Sequence, residues 1–292
     1  MQKIPHIEVS EICNHLGERA PKSIKQVFGG EINTSWKIEF NNSKYFLKRN
    51  ERKLKLLRFE KSCINNLQKY INQENLVIPK IINYLEVNNV ELLLMEWIDM
   101  NNSDQKKLGK GLGEMHIESN KFNPKSFGYS IQGYLGTNNQ IKGWEKNWVN
   151  CFINLRIEPQ LAIFRKDFLE NDVKNRLISK IKEELNHHEP LNSLVHGDLW
   201  SGNIGVNQTN KGVIFDPASW WADSEVDIAM SKLFGNFGSE FYENYHKVVP
   251  MKKGFKKRTI IYNFYHILNH ANMFGGSYFN QVQLIIKKIL SM

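Results

Sequence analysis

The chain has 292 residues, enough for one large domain or two lobes with their own cores. With 41% hydrophobic and 24% charged residues it reads as a globular protein; no apolar run approaches the roughly 18 residues of a membrane helix, and the start "MQKIPHIEVSEICNHLG" lacks a basic-then-apolar signal segment, so a cytoplasmic protein with no membrane partner is expected. The net charge of +9 suits an anionic ligand such as a nucleotide, but the excess sits in "KRNERKLKLLR" and "MKKGFKKR", which interleave no aromatics, so nucleic acid is not expected as a partner.

The first ninety-odd residues read as strands with one helix. "QVFGGEINTSWKIEF" and "KYFLKRN" carry the alternation and aromatics of paired strands, with Asn41 and Asn42 as a turn. "LLRFEKSCINNLQKYI" places Leu57, Ile64, Leu67 and Ile71 at helical spacing, and a hairpin follows in "KIINYLEV" and "VELLLMEWI", turned at Asn88 and Asn89. "NNSD" then breaks the pattern and offers a helix cap at Ser103 or Asp104. From there the chain reads as mostly helical, interrupted by the loop "SFGYSIQGYLGTNNQIKGW" and by the segment around residue 200. These patterns divide the chain into an N-terminal lobe (1–96), a hinge (97–101) and a C-terminal lobe (102–292). Cys13, Cys63 and Cys151 are widely spaced with no C-x-x-C, which argues against a disulfide framework or a zinc site and for structural thiols.

The chemistry concentrates in "LVHGDLWSGN" and "FDPASWW". Protein kinases use H-R-D-x-x-x-x-N, in which the Asp accepts the substrate hydroxyl proton and the Asn binds magnesium. His196, Asp198 and Asn203 reproduce that spacing with glycine in place of arginine, and Asp216, after the strand-like "GVIF", matches the metal-binding Asp that follows. His196 reads as a brace for this loop rather than a proton carrier. The missing cation is expected in the first lobe, where Lys48 in "YFLKRN" can reach the α- and β-phosphates and Glu60 on the following helix can hold it. Gly29 and Gly30 form a turn whose backbone could approach phosphates, although a Gly-Gly hairpin is also an ordinary β-turn. The strand end at Met95, Glu96 and Trp97 offers backbone to adenine.

With these parts together, the chain resembles the fructosamine kinase (ketosamine kinase) family, a branch of the protein-kinase-like fold related to aminoglycoside phosphotransferases and choline kinases. The resemblance runs through "FGGEIN", "FLK", "MEW", "LGKGLGEMH", "GWEKNWVNCFINLRIEPQL", "HGDLWSGN", "FDPASWWADSEVDIAMSKLFGNF" and "YHILNHANMFGGSY". It implies an α+β, bilobal fold: a small antiparallel-sheet N-lobe with one main helix and a larger, mostly helical C-lobe. It further implies ATP and Mg2+ as cofactors, Asp198 as catalytic base, Asn203 and Asp216 as magnesium ligands, and Lys48 with Glu60 as the phosphate-positioning pair. The implied reaction phosphorylates the 3-hydroxyl of a ketoamine, a small molecule or a glycated protein lysine, and so promotes deglycation by a monomeric enzyme. Trp220, Trp221 and His270 are expected to bind this substrate; the other reading of "WW" and "FYHILNH" is plain core.

Some positions depart from the family pattern. Trp220, Trp221, Ala222 and Ser224 stand where the family has tyrosines, glycine and arginine, and "GYLGTNNQ" replaces an Ile-Gly-Ser-Thr-Pro-Gln run. Glu31 stands where some members carry a cysteine, so redox control at that loop is not expected. An aminoglycoside- or choline-like small-molecule kinase, or a nucleotide-binding regulator without turnover, remain the alternatives.

Overall fold

The computed structural model describes residues 3–29, 32–101, 104–122, 125–165, 169–235 and 237–292; the expectations at Gly30, Glu31 and Ser103 lie outside the described residues. The first part runs α1 (His6–Leu16), β1 (Ser23–Val27), β2 (Thr34–Glu39), β3 (Lys44–Asn50), α2 (Leu56–Leu67), β4 (Leu76–Val77), β5 (Ile81–Val87) and β6 (Val90–Glu96). Five of these strands form one antiparallel sheet in the order β1-β2-β3-β6-β5. The β5–β6 turn falls at Asn88 and Asn89, both with positive φ, as an Asn-Asn hairpin turn requires. The helix expected through Ile71 ends at Leu67, and Ile71 packs against the core from the turn that follows.

Helix α1 was not among the expected elements, and its presence explains an oddity of the sequence. Strand residues alternate between faces, so a sheet with one wet face should alternate apolar and polar. β6 instead reads "VELLLME" and is apolar on both sides. Leu92 and Leu94 join Trp36, Ile38, Leu47 and the α1 residues Ile12 and Cys13 in one small core. Leu93 and Met95 face the other way, into the main core with Leu57, Ile64 and Leu67 of α2. Both faces are therefore covered by a helix. Arg49 fastens α1 down by a bidentate ion pair, its Nε and Nη2 lying 2.6 and 2.7 Å from the Glu8 carboxylate oxygens.

The second part begins with β7 (Met100–Asn101) and α3 (Lys106–Lys121), then β8 (Phe127–Tyr129), β9 (Gly133–Leu135), β10 (Asn138–Gln140) and β11 (Gly143–Glu145). Next come α4 (Trp148–Phe152), a π-helical turn (Ile153–Ile157), α5 (Glu158–Ile163) and α6 (Asn171–Asn186). β12 (Asn192–Val195), β13 (Ile204–Asn207), β14 (Gly212–Ile214) and β15 (Trp220–Asp223) precede α7 (Glu225–Ser231), α8 (Ser239–Val248), α9 (Phe255–Phe274) and α10 (Ser277–Leu290). The stretch read as a loop from Ser126 to Trp144 thus holds short strands, and β8 and β11 share a sheet with β12 and β15. β4 and β7 flank β13 and β14 in a further sheet, so residues 76–77 pair with 212–213 although they precede β6 in the chain. Helix α3 meets α8 closely at Gly109, where a Cβ would stand 2.1 Å from the Phe241 carbonyl oxygen. The architecture is a bilobal α+β, protein-kinase-like fold, and none of its described helices is long and apolar enough to cross a membrane.

Removing one partner of a buried ion pair strands the other charge. Glu8→Gln is therefore predicted to lower stability by about 3 kcal/mol, read by urea denaturation; a loss below about 1 kcal/mol would show that α1 docks through its apolar face alone.

Candidate active site

A cleft of about 640 Å³ lies between the five-stranded sheet and the helical part, within the roughly 300–1,000 Å³ common for ligand sites. Gly29, Lys48, Glu60, Met95, Glu96 and Trp97 line it from the first part of the chain. Asp198, Asn203, Asp216 and His270 line it from the second. Ten positions expected from motifs and from the family resemblance, spread along 242 residues of chain from Gly29 to His270, thus line one cavity.

Lys48 is 4% exposed, and its Nζ lies 2.8 and 3.0 Å from the two Glu60 oxygens. It also contacts Asp216 Oδ1 from across the cleft. Burial works against the ammonium charge, but Asp216 and Glu60 outweigh it and hold the Lys48 pKa above its ordinary value. Asp216 follows β14 with φ 58°, a left-handed conformation that Asp adopts more readily than most residues.

The loop between β12 and β13 carries Asp198 and Asn203. Asn203 Nδ2 donates to the Asp198 carbonyl (2.9 Å) and to Asp198 Oδ2 (3.2 Å), which turns its amide oxygen away from that loop. Phe215 N–H donates to the Asn203 carbonyl (3.1 Å), so this loop and the one bearing Asp216 are stitched by backbone. His196 reinforces the seam: Nε2 donates to the Phe215 carbonyl (2.9 Å) and Nδ1 accepts the Asp198 N–H (3.3 Å). One donor and one acceptor fit only the neutral ring, and burial lowers the His196 pKa in the same sense. Gly197 stands where protein kinases carry arginine because φ is 84° there and a Cβ would meet the Ala218 carbonyl oxygen at 2.2 Å.

Asp227 on α7 holds this loop from behind, and motif reading had assigned it no role. Its Oδ2 accepts the His196 N–H (2.7 Å) and its Oδ1 the Gly197 N–H (2.8 Å). His116 of α3 bridges Asp227 (3.1 Å) and the Tyr245 hydroxyl (2.9 Å). Burial opposes ionisation of Asp227, but the hydrogen bond and charge of His116, with the Gly197 N–H, prevail and hold its pKa below the ordinary value. The signal was present as an acid set between Val226 and Ile228 in "SEVDIAMS", where an unpaired carboxylate would be costly.

Two expectations need correction. Trp220 and Trp221 lie in the core rather than on the cleft wall: β15 pairs with β12, Trp220 is fully buried between the Trp148 ring (5.6 Å) and the Arg156 guanidinium (3.9 Å), and Trp221 meets Tyr70 edge-on at 6.1 Å. Trp200 lines the cleft in their stead. At the strand end the Glu96 N–H donates to the Lys80 carbonyl (2.9 Å) and the Trp97 N–H to the Lys44 carbonyl (3.3 Å), so neither N–H is free to pair with adenine. Ile98 lines the cleft next to them, and its N–H has no partner among the described residues.

Asp227→Asn would point an NH2 group at backbone donors. The predicted cost is about 2–3 kcal/mol of stability, with a larger proportional loss of turnover because the Asp198 loop loses its anchor; unchanged melting and turnover would refute the anchoring role.

The fructosamine kinase family profile matches residues 6–292. A Vibrio parahaemolyticus protein named "Probable ketoamine kinase" is 35% identical over 267 residues, covering 90% of this chain and 91% of its own. The Arabidopsis thaliana "Protein-ribulosamine 3-kinase, chloroplastic" is 32% identical over 275 residues, covering 92% and 83%. A Haemophilus somnus crystal structure assigned provisionally to fructosamine-3-kinase superposes with a TM-score of 0.85 at 26% identity, over 97% of this chain and 96% of that one. With its fold, cleft and sequence in agreement over nearly the whole length, the chain belongs to the fructosamine kinase family.

Proposed function

We propose that this chain is an ATP-dependent kinase that phosphorylates the 3-hydroxyl of ketoamines, with ribulosamine preferred to fructosamine and either free or protein-lysine-bound substrates accepted. The observation that carries the reading is the meeting of Lys48, Glu60, Asp198, Asn203 and Asp216 in one cleft of a family kinase. In this reading residues 1–96 bind the nucleotide, 97–101 act as hinge, and 102–292 supply catalysis and the acceptor site. The adenine enters the apolar slot between Val27, Phe46, Met95 and Val213, and the Ile98 N–H faces its edge. Lys48, steadied by Glu60, holds the α- and β-phosphates. Gly29 brings backbone near them.

Asn203 and Asp216 offer an amide oxygen and a carboxylate, the hard oxygen donors that magnesium takes. The Lys48 ammonium seated on Asp216 supports the fit, since that carboxylate already attracts a cation. Bound magnesium supplies neutralisation of phosphate charge. Asp198 accepts the proton of the sugar 3-hydroxyl as that oxygen bonds to the γ-phosphorus and ADP departs. His270, with Trp200 and Phe274 beside it on the same wall, binds the acceptor. The resulting ketoamine 3-phosphate is unstable: its enol form expels inorganic phosphate from C3, and water then hydrolyses the imine so formed and frees the amine, which makes the role deglycation repair, carried out by a cytoplasmic monomer.

Burial, and then the charge of Asp216, push Asp198 up to about 7. A base must be unprotonated, so kcat/KM is predicted to rise with pH to about 7 and level off above it. The stability sign is opposite: with its folded pKa raised, Asp198 supports the fold at acid pH and loses that support as pH rises through about 7. Asp198→Asn should therefore lower kcat by roughly 10²-fold or more while melting above wild type at pH 8, an advantage that fades toward acid; a variant keeping half the rate contradicts the base. Asp216→Asn should weaken the magnesium dependence, and an unchanged metal titration would contradict that ligand.

The deciding assay is magnesium-dependent ADP release with ribulosyl-lysine, fructosyl-lysine, choline and kanamycin side by side. Turnover on a ketoamine that Asp198→Asn abolishes is expected. Turnover on choline or kanamycin with silence on both ketoamines would overturn the acceptor assignment.

A further inference from the structure

Helix α2 carries Glu60, yet its own sequence does not cap it. Lys55 stands at the N-cap with no side-chain cap bond, and the first turn holds no acid. A helix start leaves N–H groups without partners and favours a negative charge. Here the acceptor comes from the sheet. Glu91 of β6, fully buried, receives the Leu57 N–H at Oε2 (3.2 Å) and the Arg58 N–H at Oε1 (3.0 Å). Asn50 Nδ2 also donates to it (2.7 Å), and the Tyr84 hydroxyl, 2.7 Å from both Glu91 and Glu86, shares its one proton between them.

Asn50 has a second task, donating also to the Leu54 carbonyl (2.7 Å) in the turn that enters α2. Lys48 and Asn50 are two apart on β3 and so share a face of the sheet. One reaches Glu60 a turn into the helix; the other reaches Glu91 beneath its first amides. α2 is gripped by the same strand pair at two points, at its start and at its functional glutamate.

We propose that Glu91 is a positioning residue for the phosphate-binding pair: by capping α2 from the sheet it sets the helix height and rotation at which Glu60 meets Lys48. The pair is thereby preset in the protein rather than assembled when the nucleotide arrives. This rests on the kinase reading of the cleft, and it concerns nucleotide binding rather than the choice of acceptor.

A double-mutant cycle read on nucleotide affinity tests it without any acceptor. ADP with magnesium is titrated calorimetrically into the wild-type chain, Glu91→Gln, Glu60→Ala and the double variant. Glu91→Gln should weaken ADP binding about tenfold, about 1.4 kcal/mol, and should add almost nothing once Glu60 is gone. In turnover, KM for ATP should rise while KM for the acceptor stays put. If Glu91→Gln only lowers the melting temperature and leaves ADP affinity within about twofold, or if its loss adds in full to that of Glu60→Ala, Glu91 is a structural cap and the proposal fails. Should Glu91→Gln not fold, Glu91→Asp, which keeps the charge but withdraws it from the helix, runs through the same cycle: coupling to Glu60→Ala supports the positioning role, and an additive or absent loss of ADP affinity overturns it. A wrong acceptor assignment would leave these titrations intact, whereas a wild-type chain that binds no ADP would remove the nucleotide site and this proposal together.

Discussion

A lysine ammonium withdrawn from water is tolerable only where anions surround it, and the buried Lys48 meets that condition from two directions at once. Glu60 arrives on α2 and Asp216 on the loop after β14, so a single cation joins the sheet, the helix laid on it and the larger helical part. Each carboxylate needs its own support. On the sheet side α2 is capped by Glu91, and β3 is tied to α1 through Arg49 and Glu8. On the other side the loops bearing Asp198 and Asp216 are laced by the His196 ring and by backbone, and Asp227 grips the Asp198 loop from behind.

The same arrangement crowds acids together. Asp198 is pushed up by burial and by the Asp216 charge, while Asp227, more deeply buried, is drawn down because His116 and backbone N–H groups serve it. Two aspartates on neighbouring elements thus acquire opposite proton affinities from their surroundings alone. The well-served one holds structure and the poorly served one faces the cleft, which is the expected division where a site needs a base and the fold needs an anchor.

Much of the cleft was legible because phosphoryl transfer demands particular residue types at short intervals on one strand or loop. Asp198 and Asn203 share a loop, Lys48 sits on a strand among apolar residues, and Asp216 closes an apolar run. The misreadings have physical causes. The tryptophan pair looked like a sugar platform, but β15 is paired with β12 and buried on every side, so its rings became core. α1 escaped notice because what docks it is in part an ion pair, Glu8 to Arg49, between residues far apart in the chain. Its traces in the sequence are the doubly apolar "VELLLME" and the helical spacing of Val9, Ile12, Cys13 and Leu16, the face that packs on the sheet.

By itself the sequence determined the family and the bilobal class, and it set residue types suited to accepting a proton, binding a cation or holding a phosphate at short-range spacings. Only the tertiary structure decided which groups stand behind them. Glu91 caps a helix from a strand on the far side of it in the chain, and Asp227 serves amides thirty residues earlier. A carboxylate's partners are whatever donors the fold brings within about 3 Å, and no periodicity along the chain records that.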